Sequence, residues 1–550
     1  MLTLTDSLVH PHWRTTEQFC YFVQKGSTTV ISREELVRRS RAWGAHLRFQ
    51  GVDKGEVVVI MLRHSPELFY AFLGSMLIGA VPSFMPPLSN KQDPDVFWSS
   101  HRELFARSGF KHLVLDATDA AMAARPFAKL DIAIIDMHAV GDNDTGNAQL
   151  LPALCPDDIA FLQHSSGTTG LKKGVALSHR AVLWQVRTYA DSIGLLPSDR
   201  IVSWLPLYHD MGLITSFLMP LVMGTELVFI DPHEWVVNPR LLFEAIQRHA
   251  CTLAWQPNFA FHHLCRTLGG RTTTDLSSMR AWINCSEPCR AETFDLFAST
   301  FAAVGVTREA LQVCYAMAEN VFAVTQTKCG APPTVIEGTL VDGAFVQATG
   351  SNPSNRLFLS TGPALPENQV AIRTQDEADA GEHRLGEVCI KSPCLFAGYH
   401  GRPEETAKRF VDGWYKTGDL GFFHGGELYL TGRVSDLIIV HGRNFYAHEL
   451  EFVINQLPGV HAGRNVAFGY RHTTTGSEEM VIVLERNQVV DDDNALIVRV
   501  KQAILNHTGT LPYDVLVVDP GWLVKTTSGK IERGSNENKY RRMILNASHE

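Results

Sequence analysis

The 550-residue chain is short of charge, and shorter of positive charge: Asp, Glu, Lys and Arg make up 19% of it, below the roughly 25% of an average globular chain. Lys and Arg number 49 against 58 Asp and Glu, a formal charge of −9. A nucleic-acid scaffold draws its affinity mainly from neutralising phosphates, so this balance argues against a nucleic-acid partner, although one loop could still hold a phosphate-bearing small ligand. The ten cysteines include no CxxC pair and no CxxC…H spacing. That excludes a disulfide framework and a zinc site and fits a reducing, cytoplasmic setting. The start, Met1-Leu-Thr-Leu-Thr-Asp-Ser, has no basic stretch followed by an apolar one, so no secretory signal is read there. One uncharged run, Leu68 to Met85, is long enough for a bilayer. Gly74, Gly79 and Pro82 interrupt it and Pro86-Pro87 follows, so it reads as a buried helix turning into a buried strand, and no transmembrane segment is expected.

What is present is apolar content, 45% over 550 residues, which implies two or more domains. Amphipathic helical windows alternate with short apolar runs through the first four-fifths, the pattern of an α/β fold built around a mostly parallel sheet. Ser32 with Glu35 opens a helix that runs to Phe49 and closes at Gly51. Strands are expected at 57–61, 131–136 and 158–163, a helix from the capping Ser178 to Ile193, and a polar loop over 138–150. From Asp419 the chain passes through Gly425-Gly426, a short apolar strand at 427–430 and Thr431-Gly-Arg433, then begins another strand at Leu437. That punctuation reads as a swivel between residues 1–433, a large domain of layered β-sheets and helices, and residues 434–550, a small mobile α+β lid.

The most informative segment is His164-Ser-Ser-Gly-Thr-Thr-Gly-Leu-Lys-Lys-Gly174. Gly167, Gly170 and Gly174 permit tight turns, Ser165, Ser166, Thr168 and Thr169 offer hydroxyls to phosphate oxygens, and Lys172 and Lys173 add point charge. It is neither a Walker A loop nor a GxGxxG fingerprint. A strand before it and a helix after it favour phosphate binding over an ordinary surface loop.

Ser165 to Gly174 resembles the nucleotide loop of the adenylate-forming superfamily, which includes acyl-CoA synthetases, luciferases and nonribosomal adenylation domains. Tyr315-Ala-Met-Ala-Glu319, Tyr415-Lys-Thr-Gly-Asp419, Gly432-Arg433 and Thr527-Ser-Gly-Lys530 resemble its other motifs, in order and almost end to end. Within it the chain is most similar to the fatty acyl-AMP ligases, through Trp204-Leu-Pro-Leu-Tyr-His-Asp-Met-Gly-Leu-Ile214, Gln256-Pro-Asn-Phe-Ala-Phe261, Asn284-Cys-Ser-Glu-Pro-Cys-Arg290 and Asp436 to Asn444. The stretch between Glu319 and Ser360 is long, and the ligases carry an insertion there.

The resemblance implies a two-step ligase. A carboxylic, in this group fatty, acid attacks the α-phosphorus of ATP, releasing pyrophosphate and leaving an acyl-adenylate; a thiol then takes the acyl group. It implies catalytic roles for Lys530, Glu319 and His209, with Lys530 the cation at carboxylate and phosphate, Glu319 the Mg²⁺ ligand and His209 at the acyl-carboxylate end. The loop residues Ser165, Ser166, Gly167, Thr168, Thr169, Gly170 and Lys173 would cradle the phosphates. Asp419 and Arg433 would take the ribose, and Asn284, Ser286, Glu287 and Tyr315 the adenine. Met211, Phe259, Phe261, Ala316 and Met317 would line the acyl pocket, and Ser435 would be the hinge. Asp210 is read as structural.

Three positions depart from the pattern: Lys172 replaces a proline, Ala316 replaces a glycine and would narrow the acyl tunnel, and Ser435 stands where Asp or Lys is common. Twenty residues follow Lys530 with no carrier-like Asp-Ser-Leu site, so the expected acceptor is an acyl carrier protein supplied in trans. An acyl-CoA ligase, an amino-acid-activating enzyme and a non-catalytic nucleotide-binding protein are the alternatives.

Overall fold

In the computed structural model the described residues are all but 1–2, 10–16, 90–91, 142–152, 166–172, 351–354, 375, 377, 441–442, 472–477, 488–491, 526–530 and 548–550. Local signals act as expected: Ser32 caps the helix Arg33–Phe49 by accepting the Glu35 N–H, and Ser178 caps His179–Ser192 through the Ala181 N–H. Strands form at Val57–Ile60, Ala133–Asp136 and Ile159–Ser165. The polar 138–150 segment begins in the short helical turn Met137–Ala139, and most of it lies outside the described residues.

Two large sheets form the N-terminal body. One has eight strands, with Leu311–Ala316, Ala281–Asn284, Leu253–Gln256, Arg200–Ser203, Glu226–Ile230 and Gln18–Gln24 running parallel between two antiparallel edge strands. The other has seven, centred on Val81–Phe84, Val57–Ile60 and His112–Leu115. The uncharged run becomes the helix Glu67–Leu77 and the strand Val81–Phe84, and residues 68–77 of the helix are all buried. Two aromatic contacts show why it has no polar face. Phe72 stacks on Phe84 of the seven-stranded sheet at 4.8 Å, while Phe69 meets Phe19 of the eight-stranded sheet edge-on at 5.4 Å. The helix fills the space between the sheets, and among the described residues no helix is long and apolar enough to cross a membrane.

The long stretch before Ser360 supplies a three-stranded antiparallel sheet, Val335–Val341, Ala344–Gln347 and Arg356–Leu359. Its Ile336, Phe345 and Phe358 pack on Phe422 and Tyr429 of the hairpin Trp414–His424/Glu427–Arg433. Beyond the short turn Val434–Asp436, the strands Val460–Arg471, Glu478–Arg486 and Asp514–Val518 make a separate sheet with its own apolar clusters, drawn only from residues 438 onward. Arg356 of the three-stranded sheet pairs with Glu449 across that junction. Arg290 reaches it too, over the Phe452 ring at 3.9 Å, with a hydrogen bond to the His448 carbonyl.

Candidate active site

Three of the expected nucleotide residues, Tyr315, Asp419 and Arg433, are in contact. Tyr315, near the end of Leu311–Ala316, donates its hydroxyl to Asp419 Oδ2 at 2.6 Å, and Arg433 Nε donates to Asp419 Oδ1 at 2.9 Å. The hairpin register sets Asp419 opposite Arg433. Burial, and then the Asp419 charge, push the Tyr315 phenol well up, so it remains a protonated donor. The Asp419 N–H is held by Thr417 Oγ1 at 3.0 Å, and Gly418 supplies the positive φ (80°) of that turn. Each carboxylate oxygen keeps a lone pair beyond its protein partner, a fork able to accept two further hydroxyls.

Glu319 sits in the turn Ala318–Asn320. Tyr399 donates to its Oε1 at 2.8 Å, and the Tyr415 hydroxyl is 3.2 Å from that of Tyr399. Since Tyr399 spends its single proton on Glu319, Tyr415 donates to Tyr399, and the chain of bonds fixes one carboxylate oxygen while Oε2 meets no partner among the described residues. Directly after comes Val321 at φ 63°, ψ −55°, with the Phe322 N–H bonded to the Asn320 carbonyl at 2.6 Å. That is a tight γ-turn, a strained conformation for a β-branched residue. Lys173 pairs with Glu405 Oε2 at 2.7 Å and lies 4.9 Å over the Tyr399 ring, and this bond holds the Glu405 carboxyl below its usual range.

The strands Ile159–Ser165 and Lys173–Ser178 pair at Ser165↔Lys173 and so bring together the ends of the Gly/Ser/Thr segment. Ser166, Gly167, Thr168, Thr169, Gly170 and Lys172 lie outside the described residues, as do the Ser165 side chain and Lys530. Asn284 ends Ala281–Asn284 and donates to Asn258 Oδ1 at 2.9 Å. Ser286 follows at φ 69°, and Glu287 accepts the Phe259 N–H at 3.0 Å, so its carboxylate is committed to the amino end of the helix Asn258–Leu268.

His209 precedes the short helix Asp210–Leu213, and Gln163 ties that turn to the seven-stranded sheet through the Tyr208 carbonyl at 2.9 Å. Asp210 accepts the neighbouring Met211 N–H at 2.8 Å. A Cβ on Gly212 would stand 2.3 Å from the Pro206 carbonyl oxygen, so only glycine fits this turn. Met211 is buried, Ala316 and Met317 are half-buried, Phe259 is exposed, and Phe261 packs in the core against Phe294 and Phe297. Ser435 occupies the turn Val434–Asp436 beside Asp436, which pairs with Arg533 at 2.7 Å.

Tyr399, Glu405 and the Val321 turn were not singled out from sequence. Tyr399 stands 80 positions from Glu319, and nothing local marks their meeting.

Asp419 held by Tyr315 and Arg433, Glu319 held by Tyr399, and the paired strands that flank the Gly/Ser/Thr segment are the arrangement to set beside known proteins. The chain belongs to the AMP-binding enzyme family, which matches residues 12–400. It is 27% identical, over 98% of its length and 95% of the relative's, to the medium-chain-fatty-acid–[acyl-carrier-protein] ligase JamA of Moorena producens. It is 29% identical to the long-chain-fatty-acid–AMP ligase FadD32 of Mycolicibacterium smegmatis, over 90% of this chain and 86% of that one. A solved structure from work on fatty acyl-adenylate ligases of E. coli and L. pneumophila superposes with a TM-score of 0.90 at 26% identity, covering 99% of this chain and 98% of that one.

Proposed function

We propose that the chain activates a carboxylic acid of the fatty class with ATP, forming an acyl-adenylate and pyrophosphate, and passes the acyl group to the phosphopantetheine thiol of a separate acyl carrier protein. The observation that carries this reading is the pair of held carboxylates. Asp419 is a fork for the ribose hydroxyls with Arg433 beside it, and Glu319 has one oxygen fixed and one open. The residues fit a magnesium ion, which ordinarily takes one or two carboxylates plus substrate phosphates and keeps its waters. When bound, it would offset repulsion between the acid and the triphosphate. Among the described residues no group of three or more His, Cys, Asp or Glu converges to hold a metal, which agrees with a cation brought in on the nucleotide.

Catalysis in this reading is positioning and charge placement rather than covalent chemistry. The 165–170 segment and Lys173 hold the phosphates, Tyr315, Asn284, Ser286 and Glu287 border the adenine, and Asp419 with Arg433 grips the ribose. His209, Met211, Phe259, Phe261, Ala316 and Met317 border the acyl group. Residues 434–550 carry Lys530 to the reacting carboxylate and turn about Ser435. The ten free thiols suit a reducing cytoplasm. JamA, by its name a ligase of medium-chain fatty acids with an acyl carrier protein, supports the choice of acceptor.

The test is exchange of labelled pyrophosphate into ATP across a panel of carboxylic acids, followed by acyl transfer to a phosphopantetheinylated carrier or to coenzyme A. Acid-dependent exchange that Lys530→Ala abolishes is expected, with faster transfer to the carrier. Exchange only with amino acids would overturn the acid class, and equal transfer to coenzyme A would overturn the acceptor.

A further inference from the structure

Four buried side chains gather at the carboxyl ends of the parallel strands, and each holds a hydrogen-bonding atom without a partner among the described residues. Gln256 ends Leu253–Gln256, is 0% exposed, and has neither its amide nitrogen nor its oxygen paired. Asn284, its register partner on the next strand, leaves Oδ1 unpaired. On the other side, Ile201 and Leu253 are register partners, and three residues beyond each lie Trp204 and Gln256. The Trp204 indole stacks on that of Trp235 at 3.6 Å with 6° between the planes; both are buried and neither N–H has a partner. Phe259, proposed above as an acyl-pocket wall, stands 6.0 and 6.4 Å from the two indoles.

Strand alternation separates this cluster from the satisfied side of the sheet, since the neighbouring Trp255 points the other way and donates to the Tyr189 hydroxyl at 2.7 Å. A buried carboxamide with both ends open is costly, and an apolar residue of that size would avoid the cost. The group therefore needs an occupant that both donates and accepts. Ligands in open α/β sheets bind at the carboxyl ends of the strands, where this cluster lies.

We propose that Gln256, Trp204 and Trp235 form a polar subsite of the acyl pocket, and that the acid this enzyme activates carries a hydroxyl or oxo group on its chain. This rests on the acid-activating reading above. The polar group takes the Gln256 amide and the indole N–H donors, and an unsubstituted chain leaves them unpaired. A site built to pair a substrate polar group discriminates strongly against the analogue lacking it.

The experiment measures kcat/KM for pyrophosphate exchange with medium-chain acids in matched pairs, plain against hydroxyl- or oxo-bearing at successive carbons. Wild-type protein is compared with Gln256→Leu and with Trp235→Phe, which keeps a ring but drops the N–H. At least about a tenfold preference for one class of oxygenated acid is expected in wild type, collapsing towards one in Gln256→Leu and falling partway in Trp235→Phe. Should Gln256→Leu fail to fold, Trp235→Phe carries the ratio. Equal use of plain and oxygenated acids by wild type, or a ratio that neither variant moves, overturns the subsite and leaves water as its occupant. Absence of exchange with every acid overturns the acid-activating reading, and the subsite with it.

Discussion

Replacing Tyr315 with Phe deletes one hydroxyl from a carboxylate that has two protein donors. The loss falls on the orientation of Asp419, because Oδ2 loses its 2.6 Å partner while Oδ1 keeps the 2.9 Å bond from Arg433. Asp419 is only 9% exposed in its side chain, so solvent compensates little. A hydrogen bond to a charged group is worth about 1.5–3 kcal/mol. Charged to nucleotide binding, that is roughly a 10- to 150-fold loss of AMP affinity. Asp419→Asn removes the charge and presents at most one acceptor, so it weakens AMP binding further. The double variant separates position from charge: if Tyr315 acts by aligning Asp419, its deletion costs little once Asp419 is Asn, and the coupling is about 1.5 kcal/mol or more. Calorimetric titration with AMP is the assay, since a chain with more than one core does not give a single unfolding free energy. Additivity within about 0.5 kcal/mol would refute the alignment argument.

Other regions answer to simpler measurements. Gly74→Ala would place a Cβ 2.5 Å from Trp43 Cβ and 2.8 Å from the Ser40 carbonyl oxygen, forcing the helices 33–49 and 67–77 apart at a cost of about 3 kcal/mol; an unchanged melting temperature would contradict this. Tyr399→Phe should raise the Mg²⁺ concentration needed for pyrophosphate release and weaken Mn²⁺ binding to the ATP complex by paramagnetic resonance. Tyr415→Phe should do so less, because it reaches Glu319 only through Tyr399; equal effects would break the relay. Burial pushes the His179 imidazole down to about 4, and its Nδ1 accepts the Leu4 N–H at 3.2 Å, as only the neutral ring can. Since the unfolded ring titrates near 6.5, its contribution is whole above that pH and is lost as pH falls from 6.5 towards 4, at about 1.4 kcal/mol per unit. Exchange protection of the Leu4 amide should fall over that window, and a pH-independent value would count against the assignment.

What could be read from sequence was what depends on near neighbours. Ser32 and Ser178 announced their helices because a cap needs only a hydroxyl and an N–H three residues on. The run from Leu68 to Met85 was separable into helix and strand because Gly79, at φ 76°, breaks it where the structure turns, although Gly74 lies inside the helix and Pro82 inside the strand. The nucleotide motifs were legible as strings, but not what holds them. Glu405, which takes Lys173, and Tyr399, which takes Glu319, come from distant segments joined by sheet pairing such as Gly398↔Ala176 and Tyr399↔Val175. The long stretch before Ser360 was visible only as length, because its three short strands gain their partner faces from Phe422 and Tyr429. Gln256 read as the first letter of a motif. Its open amide is a property of the packed sheet.

Val321 shows why strain next to Glu319 persists. Its positive φ costs on the order of 1–3 kcal/mol, and glycine there would relieve it. The Val321 side chain, however, is fully buried, and full burial of such a side chain is worth about 1.5–3 kcal/mol, to which the cavity left by its removal would add. Glycine would also add about 0.5–1 kcal/mol of backbone entropy. Burial therefore outweighs strain, and the chain turns tightly at Val321 while the Glu319 carbonyl accepts the Phe396 N–H at 2.8 Å. The core contact of Val321 thus fixes the backbone of Glu319 two positions earlier, and the tyrosine relay fixes the Glu319 side chain. Glu319 is held from both ends, which is the preorganisation that the electrostatic role proposed for it requires.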